Sequence, residues 1–211
     1  MSKHVYRFGS KGADGASSMK ELLGGKGANL AEMASAGLPV PPGLTITTAV
    51  CADVGPAERL PAWLWPEIDE ALAAIEEELS AGFGDASRPL LVSVRSGAAA
   101  SMPGMMDTFL NLGMNQNVVL GLAERSGKPR FAWDAYRRFL HMFGDVVLGL
   151  PHEAFEEAIA AIKGEQGASS DQDLGQAALR DLADRYLAIY EAHGQTFPAD
   201  PREQLERAVL A

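Results

Sequence analysis

The chain changes its hydrophobic period once, near residue 114, and that switch constrains its architecture strongly. Before it, short β-branched or apolar runs recur between Gly and Pro punctuation: HVYRF at 4–8, LTITT at 44–48, LLVSV at 90–94 and TFLNLG at 108–113 each read as a strand. After it, every segment is helical by period, over roughly 116–125, 132–149, 152–163 and 174–193. LLVSV, a continuous apolar run, suits a buried strand. The expected class is therefore α+β, with strands confined to the first half and helices dominating the second.

Helices are also expected early. Ser18 and Glu21 have capping-box spacing for SMKELL, which Gly24 and Gly25 then break. From Gly27, residues Leu30, Met33 and Ala34 share one helical face, and Gly37 follows the helix end. Ile68, Leu72, Ile75 and Leu79 mark a helix over 66–79, closed by Gly82. Asp200, Pro201 and Glu203 have the order N-cap, first helical position and cap completion for a final helix. That pattern stops at Ala211 in mid-helix, as expected of a piece of something longer, although a helix at a true C-terminus can end the same way. No repeat of 20–50 residues is present, so a solenoid is excluded.

Charge and cysteine content narrow the partners. With 18 Lys+Arg against 28 Asp+Glu the net charge is −10, so neither nucleic acid nor an anionic membrane face is an expected partner. An anionic ligand must meet a local cationic site. The single cysteine, Cys51, cannot form an internal disulfide, the N-terminus is too polar for a signal peptide, and runs such as VVLGL at 146–150 are too short to span a bilayer. A soluble, cytoplasmic protein is expected.

Four stretches could carry chemistry. In GGKGAN, 24–29, a glycine pair precedes Lys26 at a helix start, where free N–H groups, the helix dipole and an ammonium converge as a phosphate requires. It is not a Walker A loop, because Lys20 stands where the first glycine belongs and Gly follows Lys26. A helix-breaking glycine pair with a solvated lysine is the bland alternative. Arg95 ends the apolar strand and could present a fork of donors to a phosphate or, equally, to a structural carboxylate. SGAAASMPGMMDT, 96–108, combines Gly97 and Gly104 with Met102, Met105 and Met106: a loop able to approach a ligand closely, or core filler. Arg137 and Arg138 lie beside an expected apolar stripe of Phe131, Ala135, Phe139 and Phe143, so one could reach a ligand from an otherwise solvated face. The histidines His4, His141, His152 and His193 show no ligand spacing to one another or to Cys51, so no metal site is expected.

The residues LLGGKGANLAEMASAGLPVPPGLTITT, LLVSVRSGAAASMPGMMDTFLNLG and KPRFAWDAYRRF resemble the N-terminal part of the pyruvate, phosphate dikinase family, from about Tyr6 to the last residue. The resemblance implies the first half of an ATP-grasp nucleotide-binding fold with an α-helical inserted subdomain: 1–114 plus 200–211 as the ATP-grasp part, 115–199 as the helical part. It implies ATP and phosphate binding by Lys26, Arg95, Ser96, Gly104, Met106 and Arg138, with Arg95 and Gly104 in catalytic roles and the loop a mobile cover from Ala98 to Met106. It also implies Mg2+ held by ligands outside this chain, and further domains of the same enzyme carrying a phosphohistidine and binding pyruvate, in an intact homodimer. The reaction implied converts ATP, phosphate and pyruvate into AMP, diphosphate and phosphoenolpyruvate; the fragment alone is expected to be inactive. A phosphoenolpyruvate synthase-like dikinase and a stand-alone, non-catalytic nucleotide-binding module are the alternatives.

Overall fold

The computed structural model describes residues 3–54, 59–96 and 108–211. The described residues confirm the α+β class: seven short strands, β1 to β7, precede the last five of eight α-helices. Two compact units divide the chain, one of residues 1–81 with 95–108 and Leu210, the other of 82–94 with 109–209 and Ala211.

In the first unit, β1 (Val5–Gly9) pairs antiparallel with β2 (Gly12–Ala13) on one side and β3 (Gly43–Ile46) on the other. Val5 faces Ile46 and Phe8 faces Gly43. Glu67, in the first turn of α3 (Trp65–Leu79), accepts the main-chain N–H groups of His4 at 2.8 Å and Val5 at 2.9 Å, tying that helix to the start of β1. α1 (Lys20–Ser35) packs on the sheet through Ala28, Ala31 and Ala34, all buried. Small residues permit that approach: a Cβ on Gly27 would lie 2.7 Å from Thr45 Cγ2.

Several expectations shift here. Ser18 does not cap α1; a 3-10 turn at Ser17–Met19 runs straight into it, and no side chain caps the start. LTITT ends as a strand at Ile46, because Thr48 opens α2 (Thr48–Val54), which sequence reading missed among its β-branched residues. α3 closes at Ser80 in the left-handed region (φ 50°), two residues before Gly82.

The second unit holds β4 (Gly82–Phe83), β5 (Pro89–Leu90), β6 (Val92–Arg95) up to Val94, and β7 (Thr108–Leu112) from Phe109. LLVSV is not one buried strand. It breaks at Leu91, and among the described residues β6 pairs only with β7; Ser93 is exposed while Val92 and Val94 are half-buried. A two-stranded ribbon has no second layer to cover both faces.

Beyond it come α4 (Gln116–Ser126), α5 (Pro129–Met142), α6 (His152–Gln166), α7 (Gln176–Ala192) and α8 (Pro201–Leu210). Their core is aromatic. Phe197 sets its ring edge-on to Tyr136, Phe139, Phe143 and Tyr190, at centroid distances from 5.8 to 6.2 Å. Phe131 departs from the expected stripe and is 53% exposed. The long helix expected over 132–149 instead stops at Met142 and widens into a single π-turn, Phe143–Val147. Asp200 caps α8 as expected, accepting from Arg202 N–H at 2.9 Å, whereas Glu203 turns to Arg207 rather than completing the cap. Gln204, fully buried, accepts from Gly113 N–H and donates to Met114 and Pro198 carbonyls, joining α8 to the end of β7.

Candidate functional site

The expected break at the glycine pair has a defined geometry. Gly24 adopts φ 67°, ψ 168°, a region almost exclusive to glycine, and the helical path resumes from Gly25. Lys26 therefore sits in the first turn of the helical stretch running to Ser35, rather than in the middle of one uninterrupted helix. Its direction is what matters: the Lys26 ammonium donates to the carbonyl oxygen of Ser96 at 3.3 Å, across 70 residues of sequence.

Ser96 follows Arg95, the last residue of β6, so the tip of Lys26 and the root of the Arg95 side chain share one neighbourhood, consecutive Cα atoms being about 3.8 Å apart. Arg95 and Ser96 are exposed and Lys26 is half-buried. Among the described residues neither Lys26 nor Arg95 has a carboxylate within ion-pair distance. The ammonium spends one of its three donors on Ser96, and the guanidinium keeps its fork. Such a pair attracts a polyanion and can hold it through charge-assisted hydrogen bonds.

Arg138 lies in the other unit, on α5. It is exposed and pairs with Asp134 at 3.1 Å, an arrangement that leaves most of its donors to solvent. Its neighbour Arg137 behaves oppositely: it is buried and donates to Asp134 at 2.8 Å and to Asp171 at 2.8 Å. Arg137 is thus the structural arginine of the pair. Burial alone would raise the Asp171 carboxyl, but the hydrogen bond from Lys163 and the Arg137 charge outweigh it and hold the group below its ordinary value of 3.8. Gly104 and Met106, with the whole mobile cover expected from Ala98 to Met106, lie outside the described residues.

Sequence spacing also missed a cluster. His141 and His152, read as unrelated, approach to 3.1 Å between Nε2 and Nδ1, and His152 Nδ1 lies 2.8 Å from Asp145 Oδ2. Burial against Phe155 lowers the pKa of His141, and the hydrogen bond with Asp145 raises that of His152. The clue available in the sequence was the four-residue step from His141 to Asp145, which places both on one helical face.

The chain belongs to the pyruvate phosphate dikinase AMP/ATP-binding domain family, whose model matches residues 20–64 and 61–141. The matched span includes Lys26, Arg95, Ser96 and Arg138. Similarity extends along almost the whole chain: it is 57% identical over 211 residues to a chloroplastic pyruvate, phosphate dikinase of Flaveria pringlei and 56% identical to one of Arabidopsis thaliana, covering 99% of this chain in both cases. A pyruvate, phosphate dikinase 2 of Zea mays is 55% identical over 212 residues. The chain spans 22% of the length of the first two relatives and 24% of the third. No described helix is long and apolar enough to cross a membrane.

Proposed function

We propose that this chain is the ATP-binding part of a pyruvate, phosphate dikinase, whose intact form converts ATP, phosphate and pyruvate into AMP, diphosphate and phosphoenolpyruvate through a phosphohistidine on a further domain. The observation that carries the reading is the Lys26 to Ser96 hydrogen bond, which sets an ammonium beside the end of β6 and leaves Lys26 and Arg95 without carboxylate partners among the described residues. Family membership and the matched span support the choice of ATP as the polyanion.

In this reading Lys26 acts as a point charge on the phosphate chain and Arg95 as a bidentate clamp on a phosphoryl group. The main-chain N–H groups of the segment from Ser96 through Gly104 to Met106 close over the phosphates, and Arg138 adds a further contact to the nucleotide. Catalysis of this kind is positioning plus charge stabilisation, so the residues' task is to hold the reacting phosphoryl group in line and free of competing water. The fold that does this is the first half of an ATP grasp, drawn from 1–114 with 200–211 around a helical subdomain of 115–199. The compact units divide at other positions, and Gly113, Met114 and Gln204 all lie in the unit that holds the helices of 115–199.

Mg2+ accompanies ATP in such transfers and neutralises phosphate charge when bound. Among the described residues, the one group of three or more metal-capable side chains is His141, Asp145 and His152, none of it on the unit that carries Lys26. Among the described residues no such group lies beside Lys26 and Arg95, and in this reading the Mg2+ ligands belong to the rest of the enzyme, together with the phosphohistidine, the pyruvate site and a homodimer contact. A cytoplasmic setting fits the single cysteine.

Isotope exchange in the intact enzyme tests this. Phosphorylation of the enzyme by ATP that requires inorganic phosphate and yields AMP with diphosphate is the expected outcome. Transfer that proceeds without phosphate would replace the reading with a phosphoenolpyruvate synthase-like dikinase, and the absence of any transfer would leave a nucleotide-binding module.

A further inference from the structure

His141 is the penultimate residue of α5, Asp145 lies in the π-turn that follows, and His152 opens α6. The chain turns between them: Leu150, buried, donates its N–H to Gly144 O at 2.9 Å, and Pro151 stands at the cap position of α6. One potential ligand atom from each of the three side chains lies within 4.8 Å of the others.

Proton bookkeeping shows what this arrangement lacks. Asp145 is a pure acceptor when ionised. His141 Nδ1 lies 3.8 Å from Glu156 Oε1, beyond hydrogen-bond reach but near enough for the carboxylate's charge to favour a proton on Nδ1, which leaves Nε2 with its lone pair facing His152. A single proton on His152 Nδ1 must then serve both the Asp145 oxygen at 2.8 Å and the His141 nitrogen at 3.1 Å. Three lone pairs converge on a space that one shared hydrogen fills poorly. A cation that accepts all three at about 2.0 to 2.2 Å replaces it well.

The surroundings suit an ion. His141, with its side chain 15% exposed, is fixed by stacking on Phe155 at 4.8 Å with rings 14° apart and by an edge contact with Tyr186 at 5.8 Å. His152, 54% exposed, is free to swing the short distance that three-fold coordination requires and leaves an open side for water. Glu156 stands behind His141 at 3.8 Å, within ion-pair but not hydrogen-bond distance of the imidazole. Two imidazoles and one carboxylate favour a borderline divalent ion over the hard cations Mg2+ and Ca2+, which prefer oxygen alone.

We propose that His141 Nε2, Asp145 Oδ2 and His152 Nδ1 form a binding site for one divalent first-row transition ion of the zinc class, clamping the start of α6 to the end of α5. The site is independent of the nucleotide-phosphate reading of Lys26 and Arg95.

Cobalt(II) is the probe, because its visible d–d bands report coordination by nitrogen. Titration of the 211-residue chain is expected to saturate at one equivalent, with bands that stoichiometric Zn2+ abolishes and a rise in melting temperature on Zn2+ addition. His152→Ala, at an exposed position where folding is not at risk, and Asp145→Asn are each expected to weaken Co2+ binding by more than about tenfold. His193→Ala, whose ring contacts only its own helix at Ile189 O among the contacts described, is expected to bind as wild type does. Absence of saturable Co2+ binding, or binding by His152→Ala and Asp145→Asn equal to wild type, would overturn the site.

Discussion

Lys26 in the first unit and Arg137 in the second are each anchored by a residue far away in sequence, Ser96 and Asp171, but their anchors differ in kind. A backbone carbonyl holds the first at 3.3 Å, with no carboxylate paired to it among the described residues; two carboxylates at 2.8 Å hold the second and neutralise it. The difference separates a cation with no carboxylate partner among the described residues, as the proposed phosphate site requires, from one that is consumed by the fold. It also orders the two adjacent arginines of α5. Arg137 is buried in its network, while Arg138 shares Asp134 from the surface and stays available.

Breaking the buried side of this comparison should cost most. Arg137→Ala leaves Asp134 and Asp171 without their shared partner, and urea denaturation should show a loss of about 3 kcal/mol; a loss below about 1 kcal/mol, the usual value of a surface pair, would place Arg137 with the exposed cations. Next comes the glycine that aims Lys26. Gly24→Ala must adopt φ 67° with ψ 168°, so a stability loss of about 1 to 3 kcal/mol is expected. Unchanged stability would mean that the kink relaxes without consequence.

Acid sharpens the same contrast. The folded-state pKa of Asp171 lies below its ordinary value, so the stabilisation it gives is complete above that value and is lost as pH falls through the folded one. Stability should therefore decline on acidification below about pH 4, and Asp171→Asn should flatten that part of the profile. A profile of unchanged slope in Asp171→Asn would remove the Arg137 network from the acid response. Smallest of all, Arg138→Ala should alter stability by no more than about 0.5 kcal/mol, as exposed positions do.

How much of this the sequence revealed depends on whether the signal is local. The cap of α8 was legible because Asp200 bonds two residues ahead, and the break at Gly24 because a glycine pair interrupts a helical period. β7 was legible from its apolar and β-branched residues. The π-turn at Phe143–Val147 was hidden, since FLHMFGDVVLGL keeps a helical period through it. The buried role of Arg137 was equally hidden, because Asp171 reaches it from 34 residues away. The meeting of Lys26 with Ser96 and of His141 with His152 are products of tertiary packing. Residue type and family resemblance singled out Lys26 and Arg95, but only the fold shows Lys26 reaching the end of β6.

Rapid-quench phosphorylation of the intact enzyme by labelled ATP tests the phosphate role of Lys26 and Arg95 most directly. Losing a charge-assisted hydrogen bond costs about 1.5 to 3 kcal/mol. Lys26→Ala and Arg95→Ala should therefore each lower the rate of enzyme phosphorylation by about tenfold or more with folding intact, whereas wild-type rates in both variants would contradict the account.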